Sequence, residues 1–240
     1  MAALAAMAMQ VAPVYAAENA AQSARFQPVG AAHSFKGAPG VYESTYQAIR
    51  GPSPFDRIAL HRVSSGPDAP AHPGIVVLYL PGTNMNGEVA IDDQRYSLPL
   101  YMAAHGVDFW ALDYRTHFVP PTTPVADLGE LKGWSNQLFE SDIDVAMRFV
   151  MATTGQRKIV LAGFSRGVSF AYLYAAMHPE KVAGLILFDG WIPHHKAIEP
   201  LPARIIDDIG GKHLTYDKRK QLLELVITNP NAPAPLPKYK

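Results

Sequence analysis

A serine set between two glycines is the feature of this sequence best suited to chemistry. It lies in Gly163-Phe164-Ser165-Arg166-Gly167, between a short apolar run at residues 159–162 and an Ala-, Tyr- and Leu-rich stretch at residues 166–177. The run predicts a buried strand and the stretch predicts a helix, so the serine lies on a tight turn between them. Such a turn exposes the Ser165 hydroxyl for attack on a carbonyl carbon, and the Arg166 N–H would donate to the oxyanion. The alternative is a Gly-rich turn with an incidental serine.

The elements around this serine alternate between strand and helix. Patterns of apolar residues predict strands at residues 41–49, 57–63, 75–80, 109–112, 158–162 and 182–188, and helices at residues 96–105, 137–154 and 166–177. Residues 18–40 are polar and Gly/Ala-rich, which predicts an irregular segment. The alternation predicts an α/β fold with a mostly parallel sheet and helices on both faces. Ligands bind such sheets at the carboxyl ends of the strands, where Ser165 is expected.

The order of these elements resembles the α/β-hydrolase superfamily. Asp113-Tyr114-Arg115 stands where the family often has Asp-x-Arg, although Thr116-His117 replaces the glycine that usually comes next. Residues 134–167 resemble acid-lipase members of the family, with an acidic helix and a Thr-Gly-Gln turn before the nucleophile strand. The resemblance implies an α/β-hydrolase core over residues 41–190 and cleavage of carboxylic esters.

The resemblance also implies a role for the loop after the strand at residues 75–80. It reads Leu80-Pro81-Gly82-Thr83-Asn84, whereas lipases usually begin this loop with His-Gly. In α/β-hydrolases the second oxyanion N–H comes from this loop, so Thr83 would donate it and Gly82 would let the backbone come close. The alternative is a simple Pro-Gly turn.

The acid and base of a catalytic triad are harder to assign. The family order is Ser, acid, His, and the strand at residues 182–188 matches the sixth of its usual eight. We therefore expect a chain truncated after that strand, with a cap-like segment and a Pro-rich tail over residues 191–240 and the general-base His beyond Lys240. Asp189, at the end of that strand, is the candidate acid, and the alternative is a structural carboxylate. His213 is the in-chain base if the chain is complete.

The remaining histidines and acidic pairs predict no metal site. His194-His195 is expected in an exposed cap loop, and His105 and His117 read as helix-end and loop residues. Asp92-Asp93 has no further carboxylate or His cluster near it, so a metal-ligand role is not predicted. No cofactor is predicted.

Composition limits the classes of partner. The chain has 240 residues, enough for one sizeable domain, and its 21 basic and 21 acidic residues balance without a basic stripe for nucleic acid. No apolar run reaches the ~18 residues of a membrane span. The absence of cysteine excludes disulfides, thiolate metal sites and cysteine nucleophiles. The expected partner is a small-molecule ester.

The N-terminal residues resemble a secretory signal peptide. Residues 1–14 are rich in Ala and Met, and Val14-Tyr15-Ala16 resembles a cleavage site, but no Lys or Arg precedes Arg25. We expect residues 1–17 to be removed and the protein to be secreted or periplasmic. The alternative is a disordered Ala-rich tail.

The function predicted from the sequence is ester hydrolysis through an acyl-enzyme on Ser165. One alternative is another activity of the same scaffold, such as a peptidase, thioesterase, haloperoxidase or lyase, because fold does not fix function. The other is a non-catalytic binding protein or an inactive fragment.

Overall fold

The computed structural model of the chain describes residues 25–66, 74–190 and 228–229. The strands are β1 (Gln27–Phe35), β2 (Ala38–Ile49), β3 (Arg57–Ser65), β4 (Ile75–Leu80), β5 (Val107–Asp113), β6 (Ile159–Phe164) and β7 (Val182–Phe188). The helices are α1 (Leu98–Ala104), α2 (Asn136–Thr154) and α3 (Arg166–Met177), with 3₁₀ helices at Arg115–Phe118 and Val125–Gly133. None of the helices in this described part is long and apolar enough to cross a bilayer. Apart from residues 228–229, the predicted signal peptide, cap-like segment and Pro-rich tail lie outside the described residues.

The strands form one mixed sheet in the order β1-β2-β3-β5-β4-β6-β7. Pairing is antiparallel from β1 to β5 and parallel from β5 to β7. Five of the seven strands therefore run the same way, with β1 and β3 opposed, and the predicted α/β sheet is confirmed. In the parallel register Leu80 lies opposite Gly163, so the loop after β4 and the turn after β6 begin side by side.

Helices cover both faces of the sheet, as predicted. On one face, α1 contributes Leu100 and Ala103 to a core with Val77 and Phe109. On the other face, α2 packs against β4 and β5, and α3 packs against β4, β6 and β7. The larger core there includes Leu78, Leu80, Trp110, Leu112, Phe139, Ile143 and Phe170. Burial of two apolar faces holds the strand ends in a fixed arrangement beneath the site.

The prediction of an irregular segment at residues 18–40 is wrong for its described second half. Residues 27–35 form β1, and β2 already begins at Ala38. Eight of the nine residues of β1 are exposed, so the strand has no apolar alternation and is held by backbone pairing to β2. With β1 included, Val182–Phe188 is the seventh strand of this sheet. Truncation of the chain stays a prediction.

The arginine of the Asp-x-Arg motif anchors α2 to the sheet. Arg115 donates to Asp142 at 2.5 and 3.0 Å, and it also pairs with Asp56. Arg50 donates to the same Asp142 at 2.8 Å. Asp142 is fully buried, so both guanidinium groups depend on a carboxylate that water cannot replace.

Replacement of Asp142 by Ala should lower the free energy of unfolding by about 3–5 kcal/mol, because it leaves buried arginines without their carboxylate. Urea denaturation followed by circular dichroism measures the change. The matched control is Arg148→Gln, which removes a surface i,i+4 pair with Asp144 and should cost about 0.5 kcal/mol. Equal losses in the two variants would contradict this role for Asp142.

Candidate active site

Ser165 occupies a strained turn between β6 and α3. Its backbone φ is 51° and ψ is −115°, a conformation that side-chain-bearing residues rarely adopt. Its N–H donates to the carbonyl of Phe188 at 3.0 Å, and its own carbonyl accepts from the N–H of Val168 at 3.0 Å. The half-buried serine is therefore fixed at the carboxyl end of the sheet, as the sequence predicted for a nucleophile turn.

The two glycines of the motif let three backbones meet at this turn. A Cβ on Gly163 would lie 2.5 Å from the carbonyl oxygen of Gly167, and a Cβ on Gly167 would overlap the carbonyl oxygen of Leu80. Neither position can carry a side chain, because the obstacles are backbone atoms that cannot rotate away. The motif thus brings β4, β6 and α3 into direct contact.

The loop after β4 passes directly against the nucleophile turn. A Cβ on Gly82 would lie 3.1 Å from the Cβ of Ser165 and 2.9 Å from Cδ1 of Phe164. Gly82 is buried and the next residue, Thr83, is exposed at the edge of the site. The predicted reason for a glycine at position 82, close approach of the backbone, agrees with this contact.

A cavity of about 610 Å³ opens over the turn, and its described lining consists of Thr83, Ser165, Arg166, Ser169, Asp189 and Gly190. The four residues predicted for the site, Ser165, Asp189, Arg166 and Thr83, therefore surround one space. Ser169 and Gly190 were missed. The i, i+4 spacing of Ser165 and Ser169 on a predicted helix is the signal that could have found Ser169.

The residues on either side of Asp189 contact the backbone of Ser165. It follows β7 with a φ of 44°, again in the left-handed region. The next residue, Gly190, packs so closely that a Cβ there would lie 2.8 Å from the Ser165 carbonyl oxygen. The carboxylate that ends β7 and the serine that ends β6 are thus positioned relative to one another by neighbouring strands.

The side chain of Arg166 lies over two aromatic rings. Its guanidinium carbon is 5.1 Å from the ring centre of Phe139 and 5.0 Å from that of Phe170, and those rings are stacked. Tyr114 packs against both rings, and its buried hydroxyl has no hydrogen-bond partner among the described residues. Burial raises the pKa of Tyr114 well above its usual value. These contacts hold a cation at the start of α3, where it favours negative charge in the cavity.

The described residues include five histidines, and none of them lines this cavity. They are His33, His61, His105, His117 and His178. His105 lies at the end of α1 with its ring 2.7 Å from the carbonyl of Tyr101, which agrees with the predicted helix-end position. His117 lies in a 3₁₀ helix and not in an irregular loop. His194-His195 and His213 lie outside the described residues.

The acidic pair Asp92-Asp93 has protein partners. The Asp92 carboxylate accepts the N–H groups of Lys36 and Gly37 at 3.2 and 2.8 Å. The Arg95 guanidinium and N–H lower the pKa of Asp93 to about 2. In the part of the chain with described coordinates, no group of three His, Asp or Glu residues could hold a metal ion.

Comparison with known proteins agrees with this geometry. The sequence profile of the alpha/beta hydrolase fold matches residues 75–208, and the chain therefore belongs to that family. No protein with curated annotation matches the sequence.

Solved structures are similar over most of the chain. A candidate lipase from Sulfolobus solfataricus is 28% identical with a TM-score of 0.68, over 90% of this chain and 66% of the other. The thioesterase domain from the curacin biosynthetic pathway is 20% identical with a TM-score of 0.41, over 76% and 50%. A cold-adapted esterase from an Arctic intertidal metagenomic library is 15% identical with a TM-score of 0.46, over 67% and 64%. The chain thus spans between half and two thirds of the length of these structures.

Backbone strain at Ser165 predicts an unusual stability ranking of two variants at this position. Ser165→Gly should be more stable than Ser165→Ala by about 1 kcal/mol, because glycine relieves a strain of about 1–3 kcal/mol and loses part of that gain to its unfolded-state entropy. Urea denaturation of the two proteins measures the difference. An Ala variant that is the more stable of the two would show that the turn is not strained.

Proposed function

We propose that this chain is a serine hydrolase that cleaves carboxylic esters through an acyl-enzyme on Ser165. The observation that supports it best is a strained serine whose cavity is also lined by Thr83 and Arg166. Membership of the alpha/beta hydrolase fold family and similarity to a candidate lipase support a hydrolase in general. Ester cleavage in particular is our proposal.

In the first step Ser165 Oγ attacks the ester carbonyl carbon and the carbonyl oxygen becomes an oxyanion. The main-chain N–H groups of Arg166 and Thr83 donate to that oxygen, and the positive end of α3 adds to the stabilisation. Collapse of the tetrahedral intermediate expels the alcohol and leaves an acyl group on Ser165. Attack by water then releases the acid and restores the serine.

The serine proton must pass to a general base. We propose a histidine outside the described residues for this role, with His213 the candidate within the chain, and Asp189 as the carboxylate that orients it. Support for Asp189 comes from its place on the cavity wall. A carboxylate in this role fixes the imidazole tautomer and stabilises the imidazolium that forms.

A fluorophosphonate probe should label the full-length protein at Ser165, because such probes phosphonylate an activated serine hydroxyl. Ser165→Ala should abolish labelling, and Ser169→Ala, which removes the other serine lining the described cavity, should retain it. Gel fluorescence measures labelling, and peptide mass spectrometry identifies the modified residue.

The type of bond cleaved is tested on the same preparations. A panel of p-nitrophenyl esters and matched aminoacyl p-nitroanilides should give turnover with the esters, and Ser165→Ala should lose it. Faster cleavage of the anilides would favour a peptidase instead. Persistent labelling of Ser165→Ala at another serine would reject the assigned nucleophile.

A further inference from the structure

A buried imidazole lies between two carboxylates behind the loop that carries Thr83. His61 of β3 donates from Nε2 to Asp113 at 3.0 Å and from Nδ1 to Glu43 of β2 at 2.9 Å. His61 and Asp113 are buried, and only 13% of the Glu43 side chain is exposed. His117, 3.6 Å from the same Asp113 carboxylate, is the other titratable group beside the cluster.

His61 keeps its positive charge across the neutral pH range. Burial by itself lowers the pKa of His61, but hydrogen bonds and charge from Asp113 and Glu43 outweigh it and raise the pKa from 6.5 to about 10. Because the folded pKa is raised, the stabilisation is complete below about 6.5 and is lost only as the pH rises through about 10. Both imidazole nitrogens therefore donate at neutral pH, and each carboxylate can accept further hydrogen bonds.

Those carboxylates accept from the loop between β4 and α1, the 81–97 loop. The Gly87 N–H donates to Asp113 at 2.6 Å, and the Val89 N–H donates to Glu43 at 3.4 Å. Gly87 also packs against β5, where a Cβ would lie 2.9 Å from that of Ala111. The middle of the loop is thus fixed four residues after Thr83.

The far end of the same loop is held by the β1–β2 hairpin. Asp92 accepts the N–H groups of Lys36 and Gly37, and the Gln94 N–H donates to the Gly37 carbonyl at 3.3 Å. A Cβ on Gly37 would overlap the backbone carbonyl of Asp92. The hairpin turn and the loop therefore fit together without space for a side chain.

We propose that Glu43, His61 and Asp113, together with the Asp92 anchor, are positioning residues that hold the 81–97 loop so that the Thr83 N–H faces the oxyanion. The inference rests on the proposed function of Ser165. These residues act through the loop backbone and do not touch the reacting atoms. Catalysis is sensitive to such positioning, because a donor displaced by about 1 Å can cost about 100-fold in rate.

A second buried ion pair provides a matched control. Arg62 donates to Asp108 at 3.0 and 2.6 Å and links the same two strands, β3 and β5. Asp108 lies near the start of β5, whereas Asp113 ends it, and the Arg62–Asp108 pair makes no described hydrogen bond to the 81–97 loop. Loss of either aspartate removes the buried carboxylate partner of a basic side chain, so both substitutions destabilise the fold.

The test compares Asp113→Ala, Asp113→Asn and Asp108→Ala in the full chain, at a temperature where all three are folded. Asp113→Ala should accelerate amide hydrogen exchange in the 81–97 loop and lower both the fluorophosphonate labelling rate and kcat by about 10- to 100-fold, with little change in KM. Asp113→Asn should restore both rates, because its amide oxygen can accept from Gly87 while its NH₂ donates to a neutral His61. Asp108→Ala should label at the parental rate.

Two results would overturn the positioning role: parental labelling by Asp113→Ala, or an equal loss in Asp108→Ala. If Asp113→Ala does not fold, Asp92→Ala tests the exposed anchor at the far end of the loop, and parental labelling and exchange there would overturn the inference. A parent protein that the probe does not label would reject the proposed hydrolase itself. The labelling of the parent therefore separates failure of the function from failure of the positioning role.

Discussion

Close approach of backbones at the nucleophile turn is the constraint on which the candidate site depends. Gly167 lies against the carbonyl of Leu80, and the Ser165 N–H is bonded to the carbonyl of Phe188, so β4 and β7 hold the turn from either side of β6. The strained conformation of Ser165 costs about 1–3 kcal/mol, and only a well-packed sheet can maintain it. Packing of the two cores thus fixes the position of the Ser165 backbone at the end of the sheet.

Buried ion pairs connect the antiparallel strands β3 and β5 in the other half of the sheet. The pair Arg62–Asp108 and the cluster around His61 both join β3 to β5. Buried ion pairs add little net stability, but a mismatched register would leave each charge without its partner. A mismatched register is therefore disfavoured, and the Asp113 and Glu43 carboxylates beside His61 also accept N–H groups of the 81–97 loop.

The parts of this fold that could be predicted are those whose sequence signal lies within a short stretch of the chain. The nucleophile turn, α3 and β7 each have their signal within a dozen residues, and the predicted bounds of α3 and β7 match the structure. β1 was missed because a strand exposed on both faces has no hydrophobic period. The partners of Asp113 and Asp142 were missed for a different reason: His61 is 52 residues from Asp113 and Arg50 is 92 residues from Asp142. Only the folded topology selects those pairs.

The same distinction explains why Asp189 was the hardest site residue to judge. Its sequence signal is only a carboxylate at a strand end, which serves structural and catalytic roles equally. In the fold, the contacts of Phe188 and Gly190 with the Ser165 backbone tie this strand end to the nucleophile turn. The backbone at Asp189 is therefore fixed relative to the backbone of Ser165. Such rigidity is what an acid needs if it is to orient a histidine at that serine.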